Sequence, residues 1–197
     1  EQAKQNKSSL ELPSTWQQKK LLLIEDNEAN IIYAQNLFAL GHIPIDIAKD
    51  LVTAEQKLRI KKYDCILSDV KLPDGNSFEL IAQLRGDQSA INQRTPILML
   101  TASANEKEAK NAQKLNVQSY IGKPFPPQLL ITEMKKIFNK NSAPQFQSII
   151  QPQQKSLEPV LEPYFAHLEK NFKGRASLQI EMFDIFLEQL PIAIEQM

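Results

Sequence analysis

The chain has 197 residues, enough for one ordinary domain with some length to spare. Apolar residues make up 42% and charged residues 23%, a globular balance, and the net charge of zero removes any compositional pull toward nucleic acid or anionic membranes. The single cysteine, Cys65, excludes an internal disulfide and suits a reducing compartment, and no apolar run approaches the roughly 18 residues of a membrane span.

Residues 1–18 are polar and read as an N-terminal linker, with Trp16 as an anchor that packs on the adjoining domain. The chain opens on Glu1, and its first residues carry no signal-like core, so it reads as a piece of a longer protein or a processed chain. Lys20–Glu25 (KLLLIE) is a continuous apolar run, the pattern of a central strand covered on both faces. Asn30–Leu40 has helical spacing, with Gly41 expected as the residue that ends the helix. Ile43–Ala48 is a second short strand. Val52–Ile60 is an amphipathic helix expected to bury Val52, Leu58 and Ile60.

Asp64–Asp69 is the third strand. Asp64 and Asp74 read as turn residues rather than ligands. Ser77–Arg85 is a helix, and 87–95 a polar connection. Pro96–Thr101 (PILMLT) is a fourth buried strand, Ala104–Leu115 a polar helix and Ser119–Gly122 a fifth strand. Pro126–Asn139 is a fifth helix. Five strands alternating with five helices between about 20 and 140 require a parallel sheet with right-handed crossovers. The fold expected over 19–140 is therefore a doubly wound α/β domain. Its most apolar strands, 1, 3 and 4, are central, and strands 2 and 5 form the edges. That is the order 2-1-3-4-5.

Residues 141–156, rich in Gln, Pro and Ser, read as a linker. Helical periodicity returns over 157–197, so a C-terminal α-helical segment is expected. Two amphipathic helices cannot bury their own faces, and these read as part of an incomplete bundle.

The carboxyl ends of the strands collect the chemistry. The first carries Glu25 and Asp26, the third Asp69, the fourth Thr101 and the fifth Lys123. Clustered carboxylates raise one another's pKa unless a hard cation sits among them. Mg²⁺ accepts such oxygens together with water and phosphate. A hydroxyl and an ammonium on the opposite rim complete a pocket for a phosphoryl group, whose transfer is mostly positioning and charge neutralisation. Asp69, central and on a rigid strand, is the natural acceptor.

The segments LLLIEDNEAN (21–30), ILSDVKLPDG (66–75), ILMLTAS (97–103) and YIGKPF (120–125), in that order, resemble the receiver domain of bacterial two-component response regulators. The resemblance implies a flavodoxin-like fold and Mg²⁺ as cofactor. Asp69 would be phosphorylated. Asp26, Asp69 and the backbone carbonyl of Lys71 would bind the metal directly, and Glu25 through water. Thr101 and Lys123 would bind phosphoryl oxygens, and Tyr120 would be the switch aromatic. Phosphorylation would draw Thr101 inward and let Tyr120 turn in, remodelling the face of helix 4, strand 5 and helix 5. The Lys123-Pro124 bond would be cis. Two positions depart from the family pattern: Lys71, whose cation would alter acyl-phosphate hydrolysis, and Asn116, which replaces a frequent Gly but tolerates a left-handed backbone.

Residues 172–197 resemble the start of a histidine phosphotransfer domain through the Phe186-to-Pro191 spacing, whereas His167 reads as a surface histidine. The implied setting is a cytoplasmic phosphorelay in a hybrid sensor kinase. The partners are a histidine kinase core as phosphodonor and a histidine phosphotransfer domain, with no nucleic acid or membrane contact by this fragment. The chain would be no stand-alone enzyme beyond its own Mg²⁺-dependent phosphorylation and dephosphorylation. Two rivals stand beside it. A pseudo-receiver would never accept phosphate and would lack this acid–Thr–Lys set. A haloacid-dehalogenase-type phosphatase would carry a second Asp at the position of Lys71.

Overall fold

A computed structural model describes residues 12–102, 105–139 and 147–149. The element order is β1 (Leu21–Ile24), α1 (Glu28–Ala39), β2 (Ile45–Ala48), α2 (Leu51–Ile60), β3 (Cys65–Asp69), β4 (Lys71–Leu72), β5 (Gly75–Asn76), α3 (Ser77–Gly86), β6 (Ile97–Thr101), α4 (Glu106–Lys114), β7 (Ser119–Gly122), α5 (Pro127–Phe138) and β8 (Gln147–Ile149). The main sheet runs β2-β1-β3-β6-β7, all parallel, which is the expected order. The region 157–197, with His167, Phe186 and Pro191, lies outside the described residues.

The period of two along each strand explains the continuous apolar runs. Leu21, Leu23, Cys65, Leu67, Leu98, Leu100 and Ile121 face one core, closed by α1 and α5. Leu22, Ile24, Ile66, Ile97, Met99 and Tyr120 face the other, beneath α2, α3 and α4. Side-chain oxygens start four of the helices. Asn27 accepts from the Asn30 amide, Asp50 from Thr53, Asn76 from Phe78 and Asn105 from Glu108. The fifth helix starts with Pro127 in its first turn, where a missing N–H costs nothing.

Several expectations need correction. Within the segment read as a linker, Ser14–Gln18 forms a 3₁₀ turn, and Trp16 packs on the domain as expected, buried edge-on against Phe138 with ring centroids 5.0 Å apart. Gly41 does not supply the left-handed residue after α1; His42 does, at φ 53°. Gly41 is needed for space, because a Cβ there would stand 2.8 Å from Leu12 Cβ. Helix α2 buries Ala54 and Leu58, with Leu51 packed beside them, whereas Val52 and Ile60 face solvent. Both stripes have helical spacing, but only 51-54-58 faces the sheet. Finally, β7 is not an edge. The short strand β8, inside the segment read as a linker, pairs parallel to it with Tyr120 opposite Ser148.

The 87–95 connection is tied by one buried side chain, Asn92. Its amide donates to the carbonyls of Leu58 and Lys61 at 2.6 and 2.7 Å and its oxygen accepts from the Tyr63 amide at 2.9 Å. Arg85 adds bonds to the carbonyls of Leu115, Gln93 and Thr95. Asn116 takes the left-handed backbone at φ 52°, and the Lys123-Pro124 peptide is cis.

Candidate metal and phosphoryl site

The strand registers set the site. Ile24 pairs with Ala48 and Ser68, so Glu25 follows β1 at the level where Asp69 ends β3. Asp69 pairs with Leu100, and Thr101 with Gly122, so Thr101 and Lys123 emerge at the same end of the sheet. Two backbone bonds continue the ladder there, Glu25 N–H to Ala48 O and Lys123 N–H to Thr101 O.

Carboxylate oxygens of Glu25, Asp26 and Asp69 lie within 4.8 Å of one another. Glu25 is buried, Asp69 half-buried and Asp26 exposed. The Lys123 ammonium donates to Glu25 Oε2 and Asp69 Oδ2, each at 2.6 Å. Glu25 Oε1 also accepts from Asn30 Nδ2 at 3.0 Å and the Asn27 amide at 3.3 Å. Asp69 Oδ1 accepts from the amides of Val70 at 2.5 Å and Lys71 at 3.3 Å. Ser77 Oγ donates to the Asp69 carbonyl at 2.6 Å, bracing the backbone that carries the acceptor.

Three carboxylates against one ammonium leave the pocket rich in negative charge. Burial pushes the Glu25 carboxyl up from its ordinary value, and Lys123, despite opposing the shift, does not cancel it. Burial would lower the Lys123 pKa, but the facing Glu25 and Asp69 charges overcome it and drive it up. Hard, clustered oxygens with surplus negative charge fit a small divalent cation held by Glu25, Asp26 and Asp69. The Cys65 thiol is no competing nucleophile: burial pushes its pKa up to about 12.

Tyr120 sits under α4, fully buried, and its hydroxyl donates to Glu108 Oε2 at 2.6 Å. The Thr101 hydroxyl, itself buried, also hydrogen-bonds the Tyr120 hydroxyl. The Tyr120 ring is thus inside, held by Glu108 and Thr101. Lys71 lies in β4, which pairs antiparallel with β5, Lys71 opposite Asn76, and its side chain is exposed.

The expected residues thus converge at one end of the sheet, with Tyr120 linked to them through Thr101. Asn30, Ser77 and Glu108 escaped the sequence reading. Asn30 and Ser77 each fall in the first turn of a helix that leaves the strand-tip rim, a position that could have flagged them.

The family model described as response regulator receiver domain matches residues 21–135. The phosphate regulon transcriptional regulatory protein PhoB of Klebsiella pneumoniae is 30% identical over 147 residues, which cover 72% of this chain and 61% of that relative. The corresponding Escherichia coli protein is 29% identical with the same coverage, so this chain spans less than two thirds of either. The non-phosphorylated HemR receiver domain from Leptospira biflexa matches with a TM-score of 0.57 at 25% identity, over 64% of this chain and 98% of that one. The receiver domain of a sensor histidine kinase from Pseudomonas aeruginosa, described with a magnesium ion coordinated in its active-site cleft, matches with a TM-score of 0.53 at 27% identity, over 60% of this chain and 95% of its own.

Proposed function

From the premise that this chain belongs to the response regulator receiver domain family, we propose that it accepts a phosphoryl group from a phosphohistidine onto Asp69. One carboxylate oxygen attacks phosphorus, the P–N bond to the imidazole breaks, and a P–O acyl-phosphate bond forms. The Val70 and Lys71 amides hold the carboxylate in place through Oδ1. Lys123, paired with Oδ2 before reaction, moves onto a phosphoryl oxygen as charge transfers to it. Glu25, Asp26, Asp69 and the Lys71 carbonyl would hold Mg²⁺, which would supply charge neutralisation for the transfer.

The Thr101 hydroxyl leaves Tyr120 for a phosphoryl oxygen, and the change passes to α4 through the Tyr120–Glu108 bond. The face of α4, β7 and α5 is then the output surface. The donor is a histidine kinase core, and the Phe186-to-Pro191 spacing supports a phosphotransfer domain as the next member of a hybrid-kinase relay in the cytoplasm. Among the described residues no helix is long and apolar enough to cross a membrane.

The observation that carries this reading is the Lys123 ammonium bridging Glu25 and Asp69 at the strand tips. Incubation with Mg²⁺ and acetyl phosphate should add one phosphoryl mass to the chain, and Asp69→Asn should abolish the addition. Undiminished labelling of the Asp69→Asn protein would overturn the assignment.

A further inference from the structure

We infer that Asp74 is a positioning residue for this site: its carboxylate clamps the turn after Asp69 to the amino terminus of α2 and so sets the backbone of Lys71. The inference rests on the receiver reading above.

The clamp is a long-range one. Asp74 Oδ1 and Oδ2 accept from the Leu51 amide at 2.9 and 2.8 Å, and Oδ2 also accepts from the Val52 amide at 3.1 Å. These are first-turn N–H groups, which have no partner within the helix. The same turn already has a cap of its own, because Asp50 accepts from the Thr53 amide at 2.6 Å. Asp74 therefore takes the donors that Asp50 leaves, and it brings a negative charge to the positive end of the helix dipole. The turn also presses on α2. Gly75 adopts φ 150°, and a Cβ there would stand 3.0 Å from Leu51 Cδ1.

Asp74 sits in the two-residue turn between β4 and β5. With its end fixed on α2, the antiparallel pairing of Lys71 with Asn76 and Leu72 with Gly75 carries the constraint back to Lys71. That residue meets the acceptor directly, since its amide donates to Asp69 Oδ1. Its carbonyl is the backbone oxygen proposed for the metal. Two elements thus fix one backbone unit: Ser77 braces Asp69 from α3, and Asp74 braces Lys71 from α2.

A cap that served only helix stability would behave like Asp50, which provides the control. Mg²⁺ affinity of the unphosphorylated full chain is measured by titration calorimetry, with thermal stability measured alongside. Asp74→Ala should weaken Mg²⁺ binding on the order of 10-fold, the low end of what outer-shell partners of metal ligands contribute. Asp74→Asn, which keeps one acceptor oxygen, should fall between Asp74→Ala and wild type, and it serves if the alanine variant does not fold. Asp50→Ala should lose thermal stability but keep wild-type Mg²⁺ affinity. Wild-type affinity in both Asp74 variants, or equal weakening by Asp50→Ala, would overturn the inference. Failure of the wild-type chain itself to bind Mg²⁺ would overturn the receiver reading and this inference with it.

Discussion

Lys123 occupies the position where removing one side chain leaves the most uncompensated charge. It pairs with two carboxylates, Glu25 almost fully buried and Asp69 mostly so, and both distances are 2.6 Å. Such a pair stabilises little relative to an apolar isostere, but stripping one partner leaves buried charge behind. Lys123→Ala should therefore destabilise the chain in the presence of chelator by roughly 3 kcal/mol in urea denaturation, with proton uptake by Glu25 limiting the loss. Added Mg²⁺ should then stabilise the variant more than it stabilises wild type, because the cation takes over the neutralising role. An equal Mg²⁺ increment in the two proteins would mean that the ammonium and the metal answer different charges. Asp69, Glu25, Thr101 and Lys123 were legible as a set because each is a polar residue ending or following an apolar strand run. Asp74 was legible only as a turn residue, since its partners lie 22 and 23 positions away and no periodicity links them.

At the level of elements, the long periodic segments were legible and the short ones were not. All five major helices and the five strands of the central sheet fell within a few residues of their expected bounds. Helix α2 was found but turned to the wrong face, because Val52 and Ile60 satisfy the same helical spacing as the buried stripe. The strand β8 has three residues in a Gln, Pro and Ser-rich segment, too short to show any period. Its position matters because it pairs along β7, the strand that carries Tyr120. Successive residues of a strand turn their N–H groups to opposite sides, so of two adjacent prolines one must remove a donor facing β7. The double variant Gln147→Pro/Ser148→Pro should thus release β8 from the sheet. Amide exchange of Ile121 should speed up about 5-fold, the equivalent of roughly one lost hydrogen bond, because Gln118 N–H bonds Ile97 O on β6 and the alternation along β7 turns the Ile121 N–H toward β8. Unchanged exchange at β7 would show that the ladder between the two strands contributes no protection.

The molecule as a whole has two cores on a shared sheet, and the amino-terminal segment belongs to one of them. Trp16 joins the core of α1 and α5, with Leu12 packed alongside and Lys19 Nζ 5.1 Å from the centre of the Phe138 ring. The site lies across the carboxyl ends of the same strands, which draw their rigidity from both cores. Trp16 is the only tryptophan in the chain, and it is 3% exposed. Its removal opens a cavity that the surrounding strands and helices cannot close without shifting. Trp16→Ala should cost about 3 kcal/mol, the lower part of the range for deleting a buried aromatic ring, read by urea denaturation followed with circular dichroism. Labelling of the folded variant by acetyl phosphate should remain at the wild-type level, because the ring packs on α5 and not at the strand tips. A loss below about 1 kcal/mol would place the segment among surface additions, where substitutions change stability little. A full loss with labelling retained would make residues 12–18 an integral part of the domain that supports the phosphoryl site from the far end of its core.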